Sequence, residues 1–224
     1  MFFAYNLLTM ENKRRPIKSR DTNLARRGAR FFAEIGISPN MISVVSIAFA
    51  GIALWGFIYS HRGNNEWLLL IAVFGIQMRL LCNLFDGMVA VEYDKTTPMG
   101  EVYNDFPDRI ADILIIMGVG YYAQLNSYAV EMAWVCSLLA VLTAYIRVLG
   151  DSIGTPSFFV GPMAKPHRMF LITIASLLEC FLPLTHMKTL EKPYLYYSLW
   201  ILITGTLLTC INRLLKISKF KRNN

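Results

Sequence analysis

Long apolar runs separated by short polar breaks dominate the chain. The runs cover about 41–60, 67–91, 101–123, 129–149, 168–186 and 194–214. Each approaches the ~20 residues an α-helix needs to cross a hydrocarbon layer. The pattern predicts an all-α integral membrane protein with six transmembrane helices. Ahead of the first run, Leu24, Ala25, Ala29, Phe31, Phe32 and Ile35 interleave with Arg26, Arg27 and Arg30. This spacing predicts an N-terminal amphipathic helix lying in the cytoplasmic membrane interface, with its arginines turned toward lipid phosphates. Ser38-Pro39-Asn40 then breaks the chain at the proline, and Asn40 is expected to cap the first span. Three segments follow: an interfacial N-terminal part (1–37), a six-helix transmembrane domain holding the chemistry (38–216), and a basic cytoplasmic tail (217–224).

Polar residues inside two of these runs change the picture. Asn83, Asp86 and Ala90 fall at i, i+3 and i+7, on one face near the end of the second span. Gly87 beside them lets a ligand or another backbone approach closely. Gly100, Asn104 and Asp108 recur every four residues along one face of the third span. A short loop joins the two spans, so they are expected to pack as antiparallel neighbours with their polar faces converging in the cytoplasmic half of the membrane. Carboxylates at membrane depth are costly and mark function by default. Mixed carboxylate and carboxamide oxygens from facing helices suit Mg²⁺, Mn²⁺ or Ca²⁺, and such an ion would draw in a phosphate or pyrophosphate.

Composition supports a membrane domain. Of the 224 residues, 55% are hydrophobic, and the mean hydropathy of +0.42 is too high for a soluble domain of this size. The net charge of +7 is concentrated outside the spans, at Lys13 to Arg30 and at Lys216 to Arg222. Basic tails flanking membrane spans set topology and touch anionic lipid, so nucleic acid is not the expected partner. The same bias places both termini in the cytoplasm. Cys82, Cys136, Cys180 and Cys210 lie in apolar runs without CxxC spacing, and are expected to be buried and unpaired.

The segment from Asn83 to Asp108 resembles the signature of the CDP-alcohol phosphatidyltransferases, D-x2-D-G-x2-A-R-x8-G-x3-D-x3-D. Asp86, Gly87, Ala90, Gly100 and Asp108 match it, and the eight-residue gap fits without adjustment. Asn83, Val91 and Asn104 replace an aspartate, the arginine and another aspartate. Six spans, an amphipathic N-terminal helix and a Pro-Asn pair before the first span also resemble the family.

The resemblance implies that a CDP-linked lipid is attacked by an alcohol, that CMP leaves, and that phospholipid is made in a bacterial cytoplasmic (inner) membrane. It implies Mg²⁺ or Mn²⁺ as cofactor and a homodimer as the common assembly. Asp86 would ligate metal, with Asn83, Asn104 and Asp108 at the other ligand positions. Asp108 would be the general base. Asp86, Gly87 and Ala90 would receive the cytidine nucleotide. Four ligand positions carrying two charges instead of four predict weaker binding or a single tightly held metal. Asp105 lies about 100° around the helix from Asn104, and would substitute for it only if Pro107 distorts the third span.

Basic residues form a second group. Arg147 ends the fourth span, and Lys165 and Arg168 open the fifth. All three are candidates for a phosphate on donor or acceptor, as the resemblance also suggests, and positive-inside topology is the alternative. Arg79, one turn before Asn83, either pairs with Asp86 or Asp108 or reaches an acceptor phosphate. The function expected is phosphatidyl transfer from a CDP-linked lipid to an alcohol, with a phosphorylated acceptor favoured if the basic group holds a phosphate. A rival is a catalytically impaired relative that only binds lipid or nucleotide. A small transporter is disfavoured, because the polar residues gather at one face of the membrane and do not form a path across it.

Overall fold

A computed structural model describes residues 22–93, 95–125, 128–182 and 193–223. The basic stretch from Lys13 to Arg20, the end of the predicted fifth span and most of 187–193 lie outside the described residues. Among the described residues there are helices and no strand. They are α1 (Asn23–Glu34), α2 (Pro39–Gly63), α3 (Leu69–Glu92), α4 (Gly100–Tyr122), α5 (Ala129–Ser152), α6 (Lys165–Phe181) and α7 (Tyr194–Asn223). A 3-10 turn, Glu66–Leu68, leads into α3.

Among the described residues, four segments are long and apolar enough to cross a membrane: Pro39–Gly63, Glu66–Glu92, Ala129–Ser152 and Tyr194–Asn223. The six predicted runs all begin or lie in helices, but two differ from the rest for physical reasons. The first half of α4 carries Glu101, Asp105, Asp108, Arg109 and Asp112. Helix α6 has 17 residues and ends at Phe181. Large apolar side chains such as Trp134, Leu138, Phe170 and Trp200 are exposed on the outer surface, as expected where lipid is the solvent. The structure is that of an integral membrane protein.

Ser38, not Asn40, caps α2. Its side chain accepts from the Met41 backbone N–H (3.3 Å), and Pro39 occupies the first turn, where a missing N–H costs nothing. The Asn40 amide donates to Thr97 Oγ1 (3.3 Å), tying the start of α2 to the α3–α4 loop. Helix α1 is capped by Thr22, whose Oγ1 accepts from Ala25 N at 3.3 Å. It lays Ala25 and Ala29 into a small core with Ile42, Cys82, Met88 and Val89. Phe32 stacks on Phe85 of α3 with centroids 5.3 Å apart. Lys95 Nζ donates to Ala33 O (2.8 Å) and fixes the far end of the helix. Arg26, Arg27 and Arg30 are exposed, and Arg30 pairs with Glu34 at 2.8 Å.

Helices α3 and α4 are consecutive and share one end of the bundle, yet they make little direct contact; α2 packs extensively against both. Small residues cause this. A Cβ on Gly75 would lie 2.6 Å from Phe49 O, so only glycine lets α3 come this close to α2. The expected direct packing of the second and third spans is therefore replaced by a gap that side chains bridge. Helix α6 packs on α3 and α7, and α5 packs on α7 and α4, closing the bundle. All four cysteines are buried and free.

Candidate active site

Of the polar residues predicted on α3 and α4, Asn83 and Asp108 meet across the gap between those helices, joined by Lys165. On α3, Asp86 is buried and Asn83, one turn earlier, is half-buried. Ser43 of α2 donates to Asp86 Oδ2 at 2.6 Å. Asp86 Oδ1 is buried and has no hydrogen-bond partner among the described residues. Orphaned carboxylate oxygens are rare in folded proteins because desolvation without a partner is costly. This oxygen can therefore take a cation or a donor.

On α4, Asp108 meets three cations. Lys165 Nζ donates both to Asp108 Oδ2 and to Asn83 Oδ1, so one ammonium bridges α3 and α4 from the first residue of α6. Arg79 Nη2 lies 3.4 Å from Asp108 Oδ1, and Arg109 Nη2 lies 3.7 Å from Asp108 Oδ2. The loop that presents Lys165 is held by a special backbone geometry. Gly161 has φ +120 and sits against Thr209 of α7, where no Cβ fits. Thr209 Oγ1 also accepts from Met163 N (2.9 Å).

One turn deeper, Asp112 is buried between two arginines. It accepts from Arg79 Nη2 through Oδ1 and from Arg168 Nη2 through Oδ2, each at 2.6 Å. The three residues come from α4, α3 and α6, so the cluster ties together the helices that α2 keeps apart. At 4 Å and an effective dielectric near 20, a unit-charge pair is worth about 4 kcal/mol, which is why a guanidinium as buried as Arg79 must find such a partner. Arg79 thus pairs with Asp108, as one expectation had it, and most closely with Asp112.

The other predicted residues are placed as follows. Asp105 pairs with Arg147 at 2.7 Å and Arg109 at 3.8 Å. Pro107 is accommodated inside a continuous α4. Asn104 is exposed one turn before Asp108, and Gly100 starts the helix. Gly87 and Ala90 are half-buried on α3 near Asp86 in sequence, and Val91 is exposed. Arg147 lies over the Phe159 ring at 5.9 Å. Arg168 also donates to Met163 O (3.1 Å). Sequence reasoning missed three participants: Asp112, Arg109 and Ser43. Asp112 had a signal, since it continues the stripe of Gly100, Asn104 and Asp108. Ser43, a small hydroxyl in an apolar helix, had none.

No three His, Cys, Asp or Glu side chains converge as a metal cluster among the described residues. A hard cation is nevertheless compatible with the open Asp86 oxygen. Mg²⁺ and Mn²⁺ accept one or two carboxylates, carboxamide oxygen and water, and take further oxygens from a bound phosphate. The residues present fit such an ion at Asp86.

A membrane-embedded site with an open carboxylate oxygen, a second carboxylate held by cations and nearby guanidinium groups suits an enzyme that handles phosphate esters beside lipid headgroups. Residues 36–211 match the family model of the CDP-alcohol phosphatidyltransferases. The chain belongs to that family, the transferases of phospholipid synthesis that use Mg²⁺ or Mn²⁺. It is 24% identical over 198 residues to a phosphatidylinositol phosphate synthase of Streptomyces avermitilis, covering 85% of this chain and 76% of that one. It is 28% identical over 147 residues to the inner membrane protein YnbA of Escherichia coli, covering 66% and 70%. The fold is similar to that of Mycobacterium tuberculosis phosphatidylinositol phosphate synthase with CDP-DAG bound, with a TM-score of 0.68, 18% identity, and 88% and 94% of the two chains covered.

Proposed function

We propose that this chain transfers a phosphatidyl group from a CDP-diacylglycerol-like donor to a phosphorylated polyol of the inositol phosphate class, releasing CMP. The observation that carries this reading is the buried, unpartnered Oδ1 of Asp86 on α3, set across the gap from Asp108 on α4. The matching family signature around both residues supports it, as do relatives named phosphatidylinositol phosphate synthase and archaetidylinositol phosphate synthase.

In this reading Asp86 holds the divalent ion, with Asn104 able to turn toward it from the exposed face of α4, while Asn83 accepts from the Lys165 ammonium beside it. The ion, when bound, neutralises the donor pyrophosphate and makes CMP a better leaving group. Gly87 and Ala90 leave room for the cytidine nucleotide along α3. Asp108 takes the proton of the acceptor hydroxyl. The hydroxyl oxygen forms the new bond to the lipid phosphorus as the bond to the CMP oxygen breaks. Arg79 keeps Asp108 oriented from below, while Arg109 and Arg147, both partly exposed, meet the acceptor phosphate. Arg168 contributes by holding Asp112. Six membrane crossings, both termini on the cytoplasmic side of a bacterial inner membrane, the 38–216 catalytic domain and a homodimeric assembly complete the proposal. The bacterial relatives and the basic C-terminal end of α7 support that arrangement.

An acceptor comparison tests the reading. With CDP-diacylglycerol and Mn²⁺, CMP release should be at least tenfold faster with inositol phosphate than with inositol. Equal rates would remove the phosphorylated acceptor from the proposal.

A further inference from the structure

The ammonium of Lys165 occupies the place between Asn83 Oδ1 and Asp108 Oδ2, the two oxygens that face each other across the α3–α4 gap. From this placement we infer that Lys165 is a built-in cation of the site, doing at Asn83 and Asp108 what a divalent ion would otherwise do, and that the protein binds one divalent ion, at Asp86. The inference rests on the proposed reading of Asp86 as a metal ligand.

Three observations support it. Lys165 is not a surface lysine that happens to reach inward. Gly161, packed on Thr209, and the Met163–Thr209 hydrogen bond fix the loop that delivers it to the gap. Asp108 is surrounded by Arg79, Arg109 and Lys165, so a divalent ion ligated there would meet three positive charges at close range. Asp86, by contrast, has a hydroxyl donating to one oxygen and no side-chain cation paired with the other among the described residues. The carboxamide of Asn83 fits a lysine neighbour well, since an amide oxygen accepts a hydrogen bond from the ammonium without adding charge. Even with a carboxylate at that position, the ammonium seated between it and Asp108 would keep a second divalent ion out.

The test is to count bound Mn²⁺ by the electron paramagnetic resonance signal of the free ion, using the full chain in detergent. This readout is independent of CMP release, so a chain that binds one Mn²⁺ and transfers nothing would fail the proposed function and leave this inference standing. Wild type should bind one Mn²⁺ per chain, and Lys165→Arg, which keeps the cation, should also bind one. The double variant Asn83→Asp/Lys165→Ala, which removes the ammonium and adds a carboxylate, should bind two. Two Mn²⁺ in wild type overturns the inference, as does a single Mn²⁺ in the double variant when its melting temperature matches wild type. If the double variant does not fold, Asn83→Asp alone decides: one Mn²⁺ supports Lys165 as the resident cation, and two overturns it.

Discussion

Asp108 and Asp112 are one helical turn apart on α4, yet their surroundings divide their roles. Asp108 faces the gap, touched by a lysine from α6 and flanked by two arginines, at the depth where an acceptor could enter. Asp112 is closed off, and both its oxygens are taken by guanidinium groups. Its role is to position: it holds Arg79 beneath Asp108 and anchors the start of α6, from which Lys165 projects. Asp112→Ala leaves Arg79 and Arg168 without their shared partner in a buried setting. Removing one member of a buried ion cluster costs about 3–5 kcal/mol, so thermal unfolding in detergent should show a clear fall in melting temperature. An unchanged melting temperature would mean that water or lipid headgroups already satisfy the two arginines. At this scale Asn83, Asp86 and Asp108 were readable from spacing alone, because residues on one helical face announce themselves at i+3 and i+4. The Lys165–Asn83 contact was not, since it joins residues 82 positions apart through a loop whose path the sequence does not specify.

The helices follow from local chemistry more directly than their neighbours do. The predicted runs give the helical segments closely at α2, α3 and α5, and caps sharpen the ends. Ser38 displaced Asn40 as the cap because a proline is best tolerated in the first turn, which puts the capping residue just ahead of it. Helix α7 runs on to Asn223, since its basic end is compatible with a helix leaving the apolar layer. What the pattern could not show is that α2 would part α3 from α4. That depends on glycines at points of helix contact, and glycine has no periodicity that distinguishes a close approach from a free surface. Two glycines of this bundle make the distinction testable. Gly75→Val should destabilise by about 1–3 kcal/mol, as overpacking does, because its Cβ would meet Phe49 O and Ala53 N at 2.6 and 2.7 Å. Gly51→Ala on α2 meets nothing within 4 Å and should be neutral or stabilise by about 0.5–1 kcal/mol. Melting temperatures of the two variants compare them directly. Equal losses would contradict close approach at Gly75.

At the scale of the whole molecule, the site lies at one end of the bundle, where α3 and α5 finish and α4 and α6 begin. Helix α1 roofs the same end through Phe32, Phe85 and the Lys95–Ala33 link. In the proposed membrane arrangement this end of the bundle meets the lipid headgroups, with the apolar side chains of the spans below it toward the hydrocarbon. A lipid-linked donor can then keep its chains in the membrane while its phosphates reach the polar residues. The family and its reaction class were legible from the signature around Asp86 and Asp108. How a site with two carboxamides in place of carboxylates stays organised was not, and the answer lies in Lys165, Ser43 and Asp112, contributed by three other segments of the fold. In the proposed function this altered site still performs transfer, with Asp108 taking the acceptor proton. The most direct test is CMP release from CDP-diacylglycerol with inositol phosphate and Mn²⁺, comparing wild type with Asp108→Asn after donor binding has been confirmed for both. Wild type should release CMP, and Asp108→Asn should be slower by about 10²-fold or more, in the range expected for loss of a general base. Donor binding without CMP release by wild type, whatever alcohol is supplied, would contradict the account and mark the chain as a binding protein that has lost its chemistry.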